Sequence, residues 1–246
     1  MCYRQDKGPL MKAIECRCEV KSFTMLTPTV FEIHFKTDPS INFIAGQFVS
    51  VIIPGAGPKG RDLRRAYSIA SCPEGGEIEL CVKIVEDGPG TQYLNSLRPG
   101  NEFRVMAPYG DFVYHPKSGR HACFIATGTG IAPFRSMITS QHYRDNKPTG
   151  AHCMLGVRTE DELLYSQLLG NIPEVKFIEA VSQPTGDWKG FKGRVTDYIR
   201  TLGDDFPWTE TEYYLCGHGG MISEVKAYLT EKGVAKDSMH QEIYYK

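Results

Sequence analysis

The stretch Ala122-Cys123-Phe124-Ile125-Ala126-Thr127-Gly128-Thr129-Gly130-Ile131-Ala132-Pro133 decides the fold. Five apolar residues in a row read as a strand buried on both faces. A glycine-rich turn follows. Pro133 then suits the first turn of a helix, where its missing N–H would have no partner anyway. Strand, tight loop and helix make the opening of a βαβ unit, and a helix N-terminus after such a loop suits a dinucleotide pyrophosphate. Pro133 replaces the last glycine of G-x-G-x-x-G, and a purely structural glycine turn has the same look.

Downstream, the alternation continues. Apolar strand-like runs are expected at 122–126, 152–157, 175–181 and 213–216, with helical patterns at 133–144, 161–169 and 221–232. This predicts a parallel sheet covered by helices on both faces. In such a sheet, ligands bind beyond the carboxyl ends of the strands. Thr127 to Gly130, Gly156-Val157-Arg158, Ser182-Gln183 and Cys216-Gly217 all fall at strand ends, on one rim.

Upstream, the period changes to two. Ile14, Cys16, Cys18 and Val20 alternate with Glu15, Arg17 and Glu19. Further strands are expected at 31–35, 47–53, 65–71, 77–85 and 102–107, separated by glycine, proline and asparagine, with one helix at 91–97. Six short strands at this spacing predict a small antiparallel barrel, whose closure removes exposed edges. The join falls near 115–120, so two domains are expected at 11–115 and 118–246, with Met11 opening the first strand.

Several segments carry chemistry. In Arg65-Ala66-Tyr67-Ser68, an arginine can hold phosphate, an aromatic face can pack on a flavin and a hydroxyl can bond its ring. In isolation it is also an ordinary barrel strand. In Gly88-Pro89-Gly90-Thr91, Thr91 is expected to cap a helix whose free N–H groups suit phosphate, although a plain capped turn reads the same way. Tyr214-Leu215-Cys216-Gly217-His218-Gly219-Gly220-Met221 ends a strand in a glycine-rich loop. A small polarizable thiol there can touch a nicotinamide without crowding it, and an isolated cysteine is also common core filler.

Composition narrows the classes. The 246 residues carry a formal net charge of −1, which gives no electrostatic reason to expect a nucleic-acid partner. No apolar run is long enough to span a bilayer, and residues 1–11 lack a secretory apolar stretch, so a cytoplasmic location is expected. None of the eight cysteines forms C-x2-C or the plant-type iron–sulfur spacing. Cys16, Cys81, Cys123 and Cys153 lie in apolar strand patterns and are expected to be buried free thiols.

Taken together and in order, these segments resemble the ferredoxin–NADP reductase-like flavoproteins over nearly the whole chain. Arg65-Ala66-Tyr67-Ser68 resembles the family's R-x-Y-[ST] flavin motif, Gly90-Thr91 its FAD pyrophosphate grip, Gly128 to Pro133 its G-T-G-I-A-P and Cys216-Gly217 its C-G. Gly46-Gln47-Phe48 and Gly193-Arg194-Val195-Thr196-Asp197 are similar too. The resemblance implies an N-terminal FAD-binding Greek-key β-barrel and a C-terminal NAD(P)-binding α/β parallel-sheet domain. It implies that Arg65 contacts the FAD phosphate, Tyr67 packs on the flavin and Ser68 bonds near N5, with Ala66 between them. Val82 and Lys83 would offer backbone groups. Thr127, Gly128, Thr129, Gly130, Arg158, Ser182, Cys216, Gly217 and Met221 would hold NADP(H) or NAD(H). Glu242-Ile243-Tyr244 resembles the plant-type E-V-Y terminus, in which the aromatic covers the flavin; here Tyr245 and Lys246 follow it. Ser68, Cys216 and Glu242 would line the hydride path.

The implied activity is electron transfer between NAD(P)H and a one-electron carrier through FAD. The carrier would be a separate ferredoxin or flavodoxin. A reductase component of an oxygenase using NADH is the nearest rival, and a non-catalytic flavin- or nucleotide-binding regulator is the reading from another class. Arg158 suits a 2′-phosphate and favours NADPH. Gln183, where NADP-specific relatives have a basic residue, and Trp188-Lys189-Gly190 point to NADH, with Lys189 or Lys192 as possible compensation. Lys59, Arg61, Arg64 and Lys83 are candidates for docking an acidic carrier, or equally for a solvated face.

Overall fold

The computed structural model describes residues 12–245, so Cys2, Met11 and Lys246 lie outside the described part. Six strands build the first sheet: β1 (Ile14–Thr27), β2 (Val30–Asp38), β3 (Phe48–Ile53), β4 (Leu63–Ser68), β5 (Ile78–Lys83) and β6 (Glu102–Tyr109). All pairs are antiparallel, in the order β4-β3-β6-β1-β2-β5. A bridge from Ile69 to Leu80 brings the two edge strands together, so the sheet curls to closure. Alternate residues such as Cys16, Cys18, Phe31, Ile33, Phe35, Val49 and Val51 fill its interior, as the period of two requires.

Helix α1 (Pro89–Ser96) starts with Pro89, not with Thr91. The Thr91 hydroxyl bonds the backbone of Val85 and Gly88 and so braces its own loop; the cap position is Gly88, which has no side chain to cap with.

The second sheet contains β7 (His121–Thr127), β8 (Ala151–Val157), β9 (Val175–Val181), β10 (Phe191–Lys192), β11 (Thr211–His218) and β12 (Met239–Tyr245). All are parallel, in the order β10-β9-β8-β7-β11-β12. Helices α2 (Ala132–Thr139), α3 (Gln141–Asp145) and α4 (Ser166–Gly170) pack on one face through Phe134, Met137, Tyr143 and Leu169. Helices α5 (Val195–Thr201) and α6 (Gly219–Glu231) pack on the other through Val195, Ile199, Ile222 and Val225. The first of these two cores also takes in Val30, Ala45, Ala70, Cys81 and Phe112 from the barrel side, so the two sheets share apolar packing.

Two expected helices are interrupted. The one at 133–144 breaks at Ser140, which is extended; its Oγ accepts from Tyr143 N at 3.1 Å and starts α3 as a new helix. The one at 161–169 becomes a 3-10 turn (Glu160–Glu162) followed by α4. Between them Leu164 is buried and the Tyr165 hydroxyl reaches Glu32 of the barrel at 2.6 Å, so contacts with the other sheet override helical periodicity. Cys16, Cys81, Cys123 and Cys153 are buried free thiols.

The chain between the sheets is tied down by Glu212, 2 % exposed at the base of β11. Its carboxylate meets Lys117 at 2.9 Å, Arg120 at 2.7 Å and His240 at 3.1 Å. Burial opposes the charge, but these partners and Ser238 outweigh it and hold the Glu212 pKa down to about 2. A depressed carboxylate stabilises the fold above its unfolded value of 4.5, and that contribution is lost as pH falls from there towards about 2. Glu212→Gln is expected to cost about 2–3 kcal/mol in urea unfolding at pH 7, with the gap from wild type narrowing below pH 4.5.

Candidate active site

The order in which the chain lays down the strands of the second sheet reverses between β7 and β11. From β7 the chain steps outward through β8, β9 and β10, then returns to lay β11 and β12 on the other side. Loops leaving β7 and β11 therefore diverge, and a crevice opens between them. Two glycines let the backbones meet there. A Cβ on Gly130 would stand 2.5 Å from the Cys216 carbonyl oxygen. Gly217, at φ +127°, would put one 2.3 Å from Thr127 Oγ1, which itself accepts from His218 N at 3.0 Å.

A cleft of about 570 Å³ lies over this point, bounded by Thr29, Val30 and Lys83 of the barrel and by the rim of the second sheet. It gathers many of the residues expected from the sequence: Lys83, Thr127, Gly128, Thr129, Arg158, Ser182 and Met221. Arg158 and Ser182 are exposed at the ends of β8 and β9. The Arg158 backbone N–H donates to Glu162 at 2.9 Å, and Lys83 Nζ faces the same carboxylate at 3.8 Å across the cleft mouth. Sequence reasoning assigned no role to Arg194, Thr196 or His218, which also line the cleft. Their signals were visible in the Gly193 to Asp197 segment and in the glycine loop after Cys216.

A second group sits where the two sheets touch. Ser68 Oγ donates to Glu242 Oε2 at 2.7 Å. Glu242 is paired in register with Cys216 through β12 and β11. Burial, with a smaller push from Asp111, holds the Glu242 carboxyl above its ordinary range despite the Ser68 bond. Burial also pushes the Cys216 thiol far up, so it stays protonated. The Tyr244 hydroxyl lies beside Cys216 and Glu242, buried and without a hydrogen-bond partner. Tyr245 instead stands at the cleft, 5.5 Å ring to ring from His218.

A third group lies along β4. Arg65 and Ala66 are exposed and Tyr67 is half-buried. Helix α1 starts so close to them that a Cβ on Gly90 would meet Tyr67 Oη at 2.5 Å and Arg65 Cγ at 2.9 Å. Val82 points into the barrel core, which leaves only its backbone for a ligand. Lys189 lines a separate hollow with Glu160, Glu179 and Asp187 and does not reach the cleft.

These surroundings fit both cofactors. The exposed Arg65 beside the start of α1 suits an anionic pyrophosphate, and the orphaned Tyr244 hydroxyl beside Ser68 suits a polar ring edge. The buried Thr196 hydroxyl, also without a partner, and two exposed arginines suit a dinucleotide in the cleft.

Comparison with known proteins agrees. The family described as "Oxidoreductase FAD-binding domain" matches residues 17–114, and "Oxidoreductase NAD-binding domain" matches residues 124–227. Ferredoxin–NADP reductase B of Sorangium cellulosum (strain So ce56) is 32% identical over 235 residues, 89% of this chain and 93% of the relative. Ferredoxin–NADP reductase of Azotobacter vinelandii is 36% identical over 70% of each chain. The reductase component of phenol 2-monooxygenase from Pseudomonas sp. (strain CF600) is 30% identical over 92% of this chain, which spans 64% of that relative. Among solved structures, a ferredoxin NADP+ reductase from Neisseria gonorrhoeae with bound FAD and NADP superposes with a TM-score of 0.78 at 20% identity, covering 95% of this chain and 99% of that one. No helix among the described residues is long and apolar enough to cross a membrane. With a FAD-binding domain matched to the first sheet, a NAD-binding domain matched to the second and a reductase relative covered nearly end to end, the chain belongs to the ferredoxin–NADP reductase-like family of FAD- and NAD(P)-binding oxidoreductases.

Proposed function

We propose that this protein passes electrons between NADPH and a separate one-electron carrier of the ferredoxin or flavodoxin type. The observation that carries the reading is the meeting of the sheets at Ser68 and Glu242, beside a cleft walled by both. Bound FAD supplies the chemistry, taking an electron pair and releasing electrons singly. The chain supplies orientation. Thr127 to Gly130 and Met221 seat the dinucleotide over the switch point, and Arg65, Tyr67, Gly90 and the Val82–Lys83 backbone seat the flavin nucleotide. Tyr244, packed inward, is the ring assigned to cover the flavin, and Tyr245 guards the cleft.

Glu242, held above its ordinary range, keeps its proton closer to neutrality and can exchange it through Ser68 Oγ. Cys216, small and uncharged, leaves room for a planar ring without offering a competing nucleophile. The domain limits assigned to this division of labour are 11–115 and 118–246, in a cytoplasmic protein.

The carrier assignment draws support from the relatives named ferredoxin–NADP reductases. Lys59, Arg61 and Arg64 are exposed and form the basic surface assigned to an acidic carrier, whereas Lys83 is turned to Glu162. Relatives named as the reductase component of phenol 2-monooxygenase and as component C of methane monooxygenase favour a second reading, in which the electrons pass to an oxygenase. The purified chain should be yellow with FAD and should bleach on anaerobic NADPH addition. Ferredoxin and flavodoxin assays then decide the carrier, and a colourless chain that takes up no FAD would sink the reading.

Two variants test the assignment of residues. Cys216→Ala should retain FAD but slow flavin reduction about 10- to 100-fold in stopped flow, because ring placement changes; an unchanged rate removes Cys216 from the hydride path. Arg158 and Arg194, exposed on the cleft, should favour NADPH over NADH in kcat/KM, and Arg158→Ala should erode that preference about tenfold or more. A wild-type preference for NADH would refute the Arg158 assignment.

A further inference from the structure

We propose that the hydroxyl of Thr196 donates a hydrogen bond to a phosphate oxygen of the bound dinucleotide. The inference rests on the cleft being the NAD(P) site and adds a residue to its grip. Thr196 is 5% exposed and lines the cleft, yet its Oγ1 is buried without any partner among the described residues. A buried hydroxyl left unpaired is costly, so one that persists points to something that pairs with it.

The other helical threonines show what is missing. Thr91 bonds Gly88 O, Thr139 bonds Arg135 O, Thr201 bonds Tyr198 O and Thr230 bonds Lys226 O. Each hydroxyl is returned to a carbonyl three or four residues back, the ordinary outlet for a threonine in a helix. Thr196 stands second in α5, and its hydroxyl makes no such bond. Val195 before it and Ile199 three residues on are buried and apolar, so the site would accept valine by shape.

The charge around it selects the partner. Arg158 and Arg194 are exposed on the same cleft. The two carboxylates that line it are already neutralised: Glu162 faces Lys83 at 3.8 Å and Glu224 faces Arg200 at 3.2 Å. The cleft is left with positive charge, and an anion with several acceptor oxygens satisfies the arginines and the hydroxyl together. A phosphate has that chemistry, and NADPH brings it twice, in the pyrophosphate and on the 2′ oxygen.

The test uses the FAD-loaded protein with Thr196→Val and Thr196→Ser, titrated with NADP+ and NAD+ by flavin difference absorbance. Valine should raise the Kd for NADP+ about tenfold, while serine, which keeps the hydroxyl, should stay within about twofold of wild type. Without coenzyme, the valine variant should melt no lower than wild type, since it removes an unpaired buried hydroxyl. An equal loss with both coenzymes, repeated with ADP-ribose, assigns the bond to the pyrophosphate. A loss with NADP+ alone, repeated with adenosine 2′-monophosphate, assigns it to the 2′-phosphate. Wild-type affinity in the valine variant, or serine as weak as valine, overturns the proposal, whatever the melting temperatures. Wild-type protein that binds neither coenzyme overturns instead the reading of the cleft beneath it.

Discussion

Everything at the cleft depends on how the two sheets are held together, and the side chain of Arg135 ties them directly. It projects from α2 into the barrel, where it pairs with Glu79 and with Glu32 at 3.1 Å, and its guanidinium lies 4.7 Å above the Tyr165 ring. Tyr165 completes the circle through its bond to Glu32, and His34 joins Glu32 at 2.8 Å. Burial pushes the Glu32 carboxyl up, but His34, Tyr165 and Arg135 outweigh it and keep it ionised. A buried pair of this kind adds little net stability compared with apolar packing, yet it tolerates almost no displacement. It adds directional contacts between α2 and the barrel to the apolar packing of Ala45, Ala70 and Phe134.

The approach of β7 to β11 at Gly130 and Gly217 closes the base of the crevice, and β12 carries Glu242 back to Ser68. The residues assigned to hydride transfer thus come from three distant parts of the chain, Ser68 from β4, Cys216 from β11 and Glu242 from β12, joined by sheet register and a single hydrogen bond.

Much of this was legible in the sequence. The change of period from two to buried apolar runs marked the two sheets, and all six barrel strands overlap the expected runs, although β1 continues to Thr27 and β4 ends at Ser68. The glycine loops marked the strand ends that line the cleft. Other parts had no local signature. β10 is two residues long, α5 only seven, and β12 mixes exposed and half-buried positions because it is an edge strand, so none stood out as a pattern. The break at Ser140 and the turn before α4 follow from capping and from Tyr165 reaching the barrel, which periodicity does not encode. Nothing local links Arg135 and Glu32, 103 residues apart, which folding places in contact.

The Glu162 carboxylate links two parts of the chain that lie far apart in sequence. It anchors the backbone of Arg158 from within its own loop while facing Lys83 on the opposite wall. The arginine's position is therefore set by both halves of the molecule, and the segment from Val157 to Glu162 is not a free module. Transplanting that segment from a homologue with a different coenzyme habit would carry the guanidinium but lose its mooring, unless the residue at position 83 travelled with it.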